Sequence, residues 1–137
     1  MAVFNEYSLL TQVAIRSPLN SFLTDEKLSN EWQDLRFHSK PEIKESINEF
    51  IEFRKLLLNN EIKIIDLPQA KDLTIDSIYT RDSILISPKG LILCNMGRAS
   101  RTPEARDNYE HLKLQGYQIA GEILAPGTLE GGDFIWL

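Results

Sequence analysis

The sequence predicts a mixed α/β fold. Its second half carries two strands joined by a tight turn, then a helix, then a further strand. Its first half carries an amphipathic helix followed by a short buried strand. The length of 137 residues suits one small domain with an apolar core. We therefore expect residues 1–137 to form a single α/β domain.

The first half alternates strand and helix signals. Residues 8–16 are strand-like, residues 17–20 interrupt that strand, and residues 25–35 favour a helix. Ser39 followed by Glu42 predicts a capping box, with Pro41 in the first helical turn. One face of the resulting helix is apolar, through Ile43, Ile47, Phe50, Ile51, Leu57 and Leu58. Asn59 and Asn60 end this helix, and residues 62–67 form a buried strand.

The second half predicts a β-hairpin followed by a helix and a strand. Residues 84–86 and 91–96 are the hairpin strands, and Pro88-Lys89-Gly90 is their turn. Thr102 is expected to cap the following helix, with Pro103 at its first position and Gly116 after its end. Residues 117–123 return as a strand, and Pro126-Gly127 turns the chain into a final apolar strand.

Composition excludes several classes of protein. The net charge of −5 and the pI near 5.0 argue against an electrostatic nucleic-acid binder. No apolar run approaches the roughly 18 residues that a membrane span needs. The N-terminus has no basic segment typical of a secretory signal, and the single cysteine cannot form an internal disulfide. We expect a cytoplasmic protein with neither nucleic acid nor membrane as a partner.

Three polar segments lie where strands end. The first places Asp76 and Asp82 on one face of an extended segment, because strand side chains alternate with a period of two. The second carries Arg98 and Arg101, and the third is Glu130-Gly-Gly-Asp133. Together, such groups would bind a cation that also carries an anion.

Simpler interpretations of the same residues stay open. Arg81 or Arg101 would pair with Asp82 or Glu104 at the surface, where ion pairs contribute little. Glu130 and Asp133 would then serve only as turn residues.

The remaining reactive side chains favour structural roles. Cys94 lies in an apolar strand and is expected to be a small buried residue. His38 and His111 are expected to face solvent, and Trp32 and Trp136 to pack in the core. The acidic residues are too scattered to predict a metal site, and we expect no cofactor.

Four segments together resemble the guanidine-modifying (pentein) superfamily, which includes arginine deiminases, dimethylarginine dimethylaminohydrolases and amidinotransferases. They are VAIRSP, DSIYTRD, MGRASRTPE and LEGGD, in that order across residues 13–133. The resemblance implies a propeller of five ββαβ units. This chain would be an incomplete α/β-propeller with about two units and the first strand of a third. The apolar residues 134–137 would then belong to an interrupted strand, and the family's catalytic His and Cys would lie beyond Leu137.

The resemblance also implies roles for individual residues. Asp82 and Glu130 would hold the guanidinium, and Glu130 would also orient the catalytic histidine. Asp76 would accept from the substrate α-ammonium. Arg101 would pair with the substrate carboxylate or stiffen the pocket, with Arg98 as the alternative.

The implied function is that of the N-terminal portion of a cysteine-dependent hydrolase, acting on the guanidinium of arginine or a methylated arginine. An amidinotransferase and a non-catalytic binder of arginine-like ligands are the alternatives. Asp76 is similar to the dimethylarginine enzymes and Arg81-Asp82 to the deiminases, so the substrate stays open. Residues 17–22 would be a substrate lid or a plain surface loop. A second copy of the chain, or the remainder of the propeller, is the expected protein partner.

Overall fold

The computed structural model describes residues 5–137 and is mixed α/β, with two small sheets. The chain divides into two compact units. The first unit is Leu10–Ile78, and the second is Tyr79–Leu137 together with residues 5–9. Five strands are distributed between them: β1 Gln12–Ile15, β2 Lys63–Asp66, β3 Ile84–Ser87, β4 Gly90–Leu93 and β5 Ile119–Glu122. Four α-helices accompany these strands: α1 Pro18–Phe22, α2 Asp25–Glu31, α3 Ile43–Asn59 and α4 Glu104–Leu114.

In the first unit, β1 and β2 pair in parallel, with three helices in the connection between them. A parallel pair needs such a crossover, because a tight turn joins only antiparallel strands. The apolar core of this unit is buried around the helices and the turn after β2. It comprises Phe22, Leu28, Leu35 and Ile75, with Trp32, Phe37, Ile43 and Ile78 packed against it.

Residues 17–22 are not a loop. Ser17 caps α1 by accepting from the Asn20 backbone N–H at 3.2 Å, and Pro18 follows it at the start of the helix. Ser21 and Phe22 are buried. Both interpretations of this segment as an irregular loop were therefore wrong, because Ser-Pro here begins a helix after ending the strand.

The predicted capping box of α3 is also absent. The helix begins at Ile43, so Glu42 occupies the cap position and makes no side-chain cap hydrogen bond. Ser39 and Pro41 therefore precede the first turn, too early to satisfy its N–H groups. The helix ends at Asn59, as predicted. Leu57 is its buried residue, whereas Ile51 and Leu58 of the predicted apolar face stay exposed.

The second unit has the predicted strand–strand–helix–strand order. β3 and β4 form an antiparallel hairpin around Pro88-Lys89, and β5 pairs in parallel with β4 after α4. Gly116 has a φ of +90° after the end of α4, which is the left-handed conformation expected there. The core cluster contains Leu85, Cys94 and Met96, with Ile92, Leu129 and Phe134 packed against it.

Two expectations for this unit were wrong. Thr102 does not cap α4, because a 3-10 turn at Ala99–Arg101 continues through Thr102 and Pro103 with helical backbone angles. Within the described residues, no strand forms after Gly131–Asp133, which is a 3-10 turn. Instead, the rings of Phe134 and Trp136 pack edge to face, with their centroids 4.8 Å apart.

Candidate functional site

Asp82 lies in a 3-10 turn, Thr80–Ser83, directly before β3. Its backbone N–H donates to the Tyr79 carbonyl at 3.2 Å, and the Ser83 hydroxyl donates to the Thr80 carbonyl at 3.1 Å. Asp76 lies in a separate 3-10 turn, Ile75–Ile78. The predicted extended segment was therefore wrong, because Asp76 and Asp82 lie in two separate 3-10 turns.

Glu130 lies on the loop after β5, and this loop runs against the Asp82 turn. Glu130 Oε1 accepts from the Gly97 N–H at 3.2 Å. A Cβ at Gly131 would clash with the Arg81 carbonyl oxygen, and one at Gly132 would lie 3.4 Å from Asp82 Oδ1. Only glycine allows so close an approach between the two backbones. The two carboxylate-bearing segments are thus in direct contact.

Arg101 forms hydrogen bonds both with Asp82 and with Glu104, the first residue of α4. Its Nε and Nη2 donate to the two oxygens of Glu104 at 2.8 and 2.9 Å, and its Nη1 donates to Asp82 Oδ2 at 3.0 Å. Arg101 is 6% exposed and Glu104 is fully buried. A buried bidentate pair fixes both side chains. Arg101 therefore pairs with both predicted partners, but the Glu104 pair is buried and the Asp82 pair is part-buried.

The Asp82 turn is held at a second point on the same helix. Asn108, one turn after Glu104, donates from Nδ2 to the Ser83 hydroxyl at 2.8 Å. Asn108 and Ser83 are both buried. Sequence analysis overlooked Asn108 and gave Glu104 only a surface role. The spacing of four on one helix face was the signal that would have linked them.

Cys94 directly follows β4 and is buried. It is 4% exposed and packs in the apolar cluster of the second unit. Burial raises the pKa of the Cys94 thiol, and the negative charges of Asp82 and Glu130 raise it further. Cys94 is thus a neutral, buried thiol, as predicted from the sequence, and both carboxylates act on it electrostatically.

The other predicted arginines differ in exposure. Arg81 is exposed and pairs with both Glu6 oxygens at 3.1 Å. Arg98 is half-buried and precedes the 3-10 turn that carries Arg101. The second unit therefore brings Asp82, Glu130 and Arg101 into one neighbourhood.

Asp76 belongs to the first unit, where its turn is anchored from several sides. Arg16 is 1% exposed and donates to the Pro68 and Ser77 carbonyls at 3.0 and 3.1 Å. Ser21 Oγ donates to the Ile75 carbonyl at 2.7 Å. Asp76 itself is 5% exposed. These contacts hold the backbone on both sides of Asp76 in place.

Within residues 5–137, no group of three or more His, Cys, Asp or Glu side chains is arranged to hold a metal ion. Across the same residues, none of the helices is long and apolar enough to cross a membrane.

Residues 20–133 match the family model described as N,N dimethylarginine dimethylhydrolase, eukaryotic. A comparison with curated protein sequences gives no match. Among solved structures, the chain is similar to a dimethylarginine dimethylaminohydrolase variant in an adduct with S-methyl-L-thiocitrulline. The TM-score is 0.75 at 21% identity, covering 94% of this chain and 48% of that one.

Two further structures are similar to this chain. A mutant of the Pseudomonas aeruginosa dimethylarginine dimethylaminohydrolase, complexed with citrulline, gives a TM-score of 0.73 at 22% identity, covering 92% of this chain and 46% of that one. The product-bound N-terminal domain of ArgZ, a cyanobacterial arginine dihydrolase, gives 0.67 at 14% identity, with coverages of 89% and 42%. These matches establish a shared fold, and the chain spans about half the length of the structures it matches.

Proposed function

The chain belongs to the eukaryotic family of N,N-dimethylarginine dimethylhydrolases, within the guanidine-modifying superfamily, and we propose that it is the N-terminal portion of a cysteine-dependent hydrolase. The substrate is the guanidinium group of arginine or a methylated arginine, and the reaction releases ammonia or an amine. In this proposal the chain is a single domain, the N-terminal part of a five-unit propeller, with about two ββαβ units and the start of a third. The ββαβ order of the second unit supports it. The catalytic Cys and His belong to the portion of the enzyme beyond residue 137.

The observation that carries this proposal is the contact between the Asp82 and Glu130 segments. A guanidinium is planar, permanently charged and rich in N–H donors along its edges. Two carboxylates from apposed backbones can accept from different edges of such a group and fix its plane. Fixing the plane presents the guanidinium carbon to a nucleophile from one face, which lowers the entropic part of the barrier.

Arg101 and Asp76 have different roles in this proposal. The guanidinium of Arg101 is engaged by Glu104 and Asp82 inside the protein. Of the two roles that the resemblance implies for it, we favour stiffening the pocket over pairing with the substrate carboxylate. For Asp76 we keep the implied role of accepting from the substrate α-ammonium, which the firm anchoring of its turn supports.

The chain of 137 residues is not expected to turn over substrate by itself. Its single cysteine is buried, and its thiol pKa is raised, whereas a nucleophilic cysteine needs a lowered pKa and an adjacent base. Its histidines, His38 and His111, lie on or near the surface. These features also favour the second candidate, a non-catalytic binder of arginine-like ligands.

The complete open reading frame and its product distinguish the two candidates. A histidine and a late cysteine encoded beyond residue 137, with citrulline formed from arginine or dimethylarginine, support the hydrolase. Binding of either compound without turnover supports the binder. A product that neither binds nor converts a guanidino compound would refute both.

The carboxylates are tested in the same protein. We expect Asp82→Asn and Glu130→Gln each to lower the affinity for the ligand, or kcat/KM where it is turned over, by at least tenfold. Each substitution removes a charge-assisted hydrogen bond. Asp66→Asn and Glu122→Gln are the matched controls, because these carboxylates pair with arginines at the surface. Equal losses of affinity or kcat/KM in the control variants would rule out Asp82 and Glu130 as the ligand-binding carboxylates.

A further inference from the structure

We propose that Glu104 is a positioning residue for Asp82, acting through Arg101, and that α4 thereby fixes the orientation of the proposed guanidinium-binding carboxylate. This inference rests on the proposed function of Asp82. It adds a residue that acts on Asp82 through Arg101 and thereby determines how well Asp82 accepts a ligand.

Glu104 contacts Arg101, and Arg101 in turn contacts Asp82. Both carboxylate oxygens of Glu104 accept hydrogen bonds from Arg101, one from Nε and one from Nη2. This two-point contact sets the plane of the guanidinium and directs Nη1 toward Asp82 Oδ2, 3.0 Å away. Nη2 also lies 3.5 Å from the Tyr79 carbonyl, at the start of the turn that carries Asp82. With one carboxylate oxygen thus held, the rotation of the Asp82 side chain is restricted.

The other carboxylate oxygen, Asp82 Oδ1, lies on the side of Gly132, where a Cβ would come within 3.4 Å of it. An added Cβ at that distance would be in ordinary van der Waals contact with Oδ1, so Oδ1 faces the backbone of the Glu130 loop. Arg101 therefore takes the oxygen on the α4 side, and the oxygen toward the Glu130 loop is the one offered to a guanidinium.

The side chain of Glu104 is fully buried, which is costly for a carboxylate unless it is paired and hydrogen-bonded. A carboxylate that served only to cap the helix would not need to be buried. If residue 104 served only to fill space, an apolar side chain of similar volume would do so without the cost of burying a charge. Together with the Asn108–Ser83 contact one turn later, the ion pair gives α4 two attachment points on consecutive residues, Asp82 and Ser83.

The test uses the product of the complete open reading frame, with L-arginine and dimethyl-L-arginine as probes in titration calorimetry. Glu104→Gln keeps the shape of the side chain and removes its charge, so Arg101 loses its ion pair with residue 104 and keeps only the one with Asp82. We expect an affinity loss on the order of tenfold, as for coupled residues in one network. Glu110→Gln, an exposed carboxylate on the same helix, is the matched control and should bind as the wild type does.

A thermodynamic cycle separates positioning from a merely structural role. If Glu104 acts through Asp82, Glu104→Gln should weaken binding in the wild type and add nothing in the Asp82→Asn background. Each variant is measured at a temperature where circular dichroism shows it to be folded. If Glu104→Gln does not fold, Glu104→Asp decides, because it keeps the charge but shortens the reach to Arg101, and we expect it also to weaken binding.

The outcomes are distinguishable. Wild-type protein that binds neither compound overturns the proposed function, and the positioning role with it. Wild-type binding that Asp82→Asn weakens but a folded Glu104 variant leaves unchanged overturns only the positioning role. Equal losses from Glu104→Gln with and without Asp82 would also overturn it.

Discussion

Arg101 and Glu104 form a two-point ion pair inside the second unit, three residues apart at the start of a helix. Pairs at this spacing on exposed helices contribute only a few tenths of a kcal/mol. Breaking a buried pair costs more, because the charge that is left alone has no solvent to stabilise it.

We therefore expect Arg101→Met to lower the free energy of unfolding by about 3–5 kcal/mol, since it strands the buried Glu104 charge. Arg54→Met breaks an ion pair with Asp66 at the surface and should lower it by about 0–1 kcal/mol. The double variant Arg101→Met/Glu104→Leu should be more stable than Arg101→Met alone. Urea unfolding measures all three, and similar losses for Arg101→Met and Arg54→Met would contradict the assignment.

Gly131 should be intolerant of any side chain. A Cβ there meets the backbone of Arg81, which cannot rotate away as a side chain would. We expect Gly131→Ala to destabilise the protein by about 1–3 kcal/mol, the usual range for overpacking. Gly121→Ala is the control, because no atom lies within 4 Å of its Cβ position. Thermal unfolding would disprove the close approach if the two variants melted together.

The Cys94 thiol should make stability fall at alkaline pH. Burial raises its pKa in the folded protein above the ordinary value of a thiol, so the folded state holds the thiol proton more tightly than the unfolded state. That contribution is complete below the unfolded pKa and is lost as pH rises through the folded one. Compared with Cys94→Ala, the wild type should therefore lose stability from about pH 9 upward. Parallel stability curves for the two proteins between neutral pH and pH 11 would exclude a raised pKa.

Two serines near helix starts should behave differently. Ser17 accepts from the Asn20 N–H at the start of α1, so Ser17→Ala should reduce stability by about 1 kcal/mol. Ser39 precedes α3 without capping it, so Ser39→Ala should be close to neutral. Chemical denaturation of the two variants provides the comparison. A larger loss at Ser39 would restore the capping box that the sequence suggested.

Local patterns predicted much of the second unit correctly. The hairpin around Pro88-Lys89, the left-handed Gly116 and the strand that follows it all depend on backbone preferences of a few neighbouring residues. Such a preference depends only on the residues of the segment, and tertiary contacts did not override it here.

The errors had two causes: local signals that fit more than one helix start, and contacts distant in sequence. Ser39 and Glu42 have the spacing of a capping box, yet α3 begins one residue after Glu42. The extended segment expected around Asp76 and Asp82 forms two 3-10 turns, each anchored by side chains from elsewhere in its own unit. Spacing alone could not reveal these anchors, because Arg16 and Asn108 are distant from the turns in sequence.

Short motifs could indicate candidate site residues but not the contacts that hold them in place. The resemblance indicated Asp76, Asp82, Glu130 and Arg101 from short motifs. No motif showed that Glu104 would be buried, because its position in a helix start has an equally good explanation as a charge beside the helix dipole.

The two tryptophans of the chain belong to different units: Trp32 packs against the core of the first, and Trp136 donates its indole N–H to the Ile86 carbonyl at 2.8 Å in the second. Each unit therefore contains its own intrinsic fluorophore. Replacing either tryptophan with phenylalanine confines the tryptophan emission to the other unit. The order in which the two units lose structure can then be followed optically, without any attached dye.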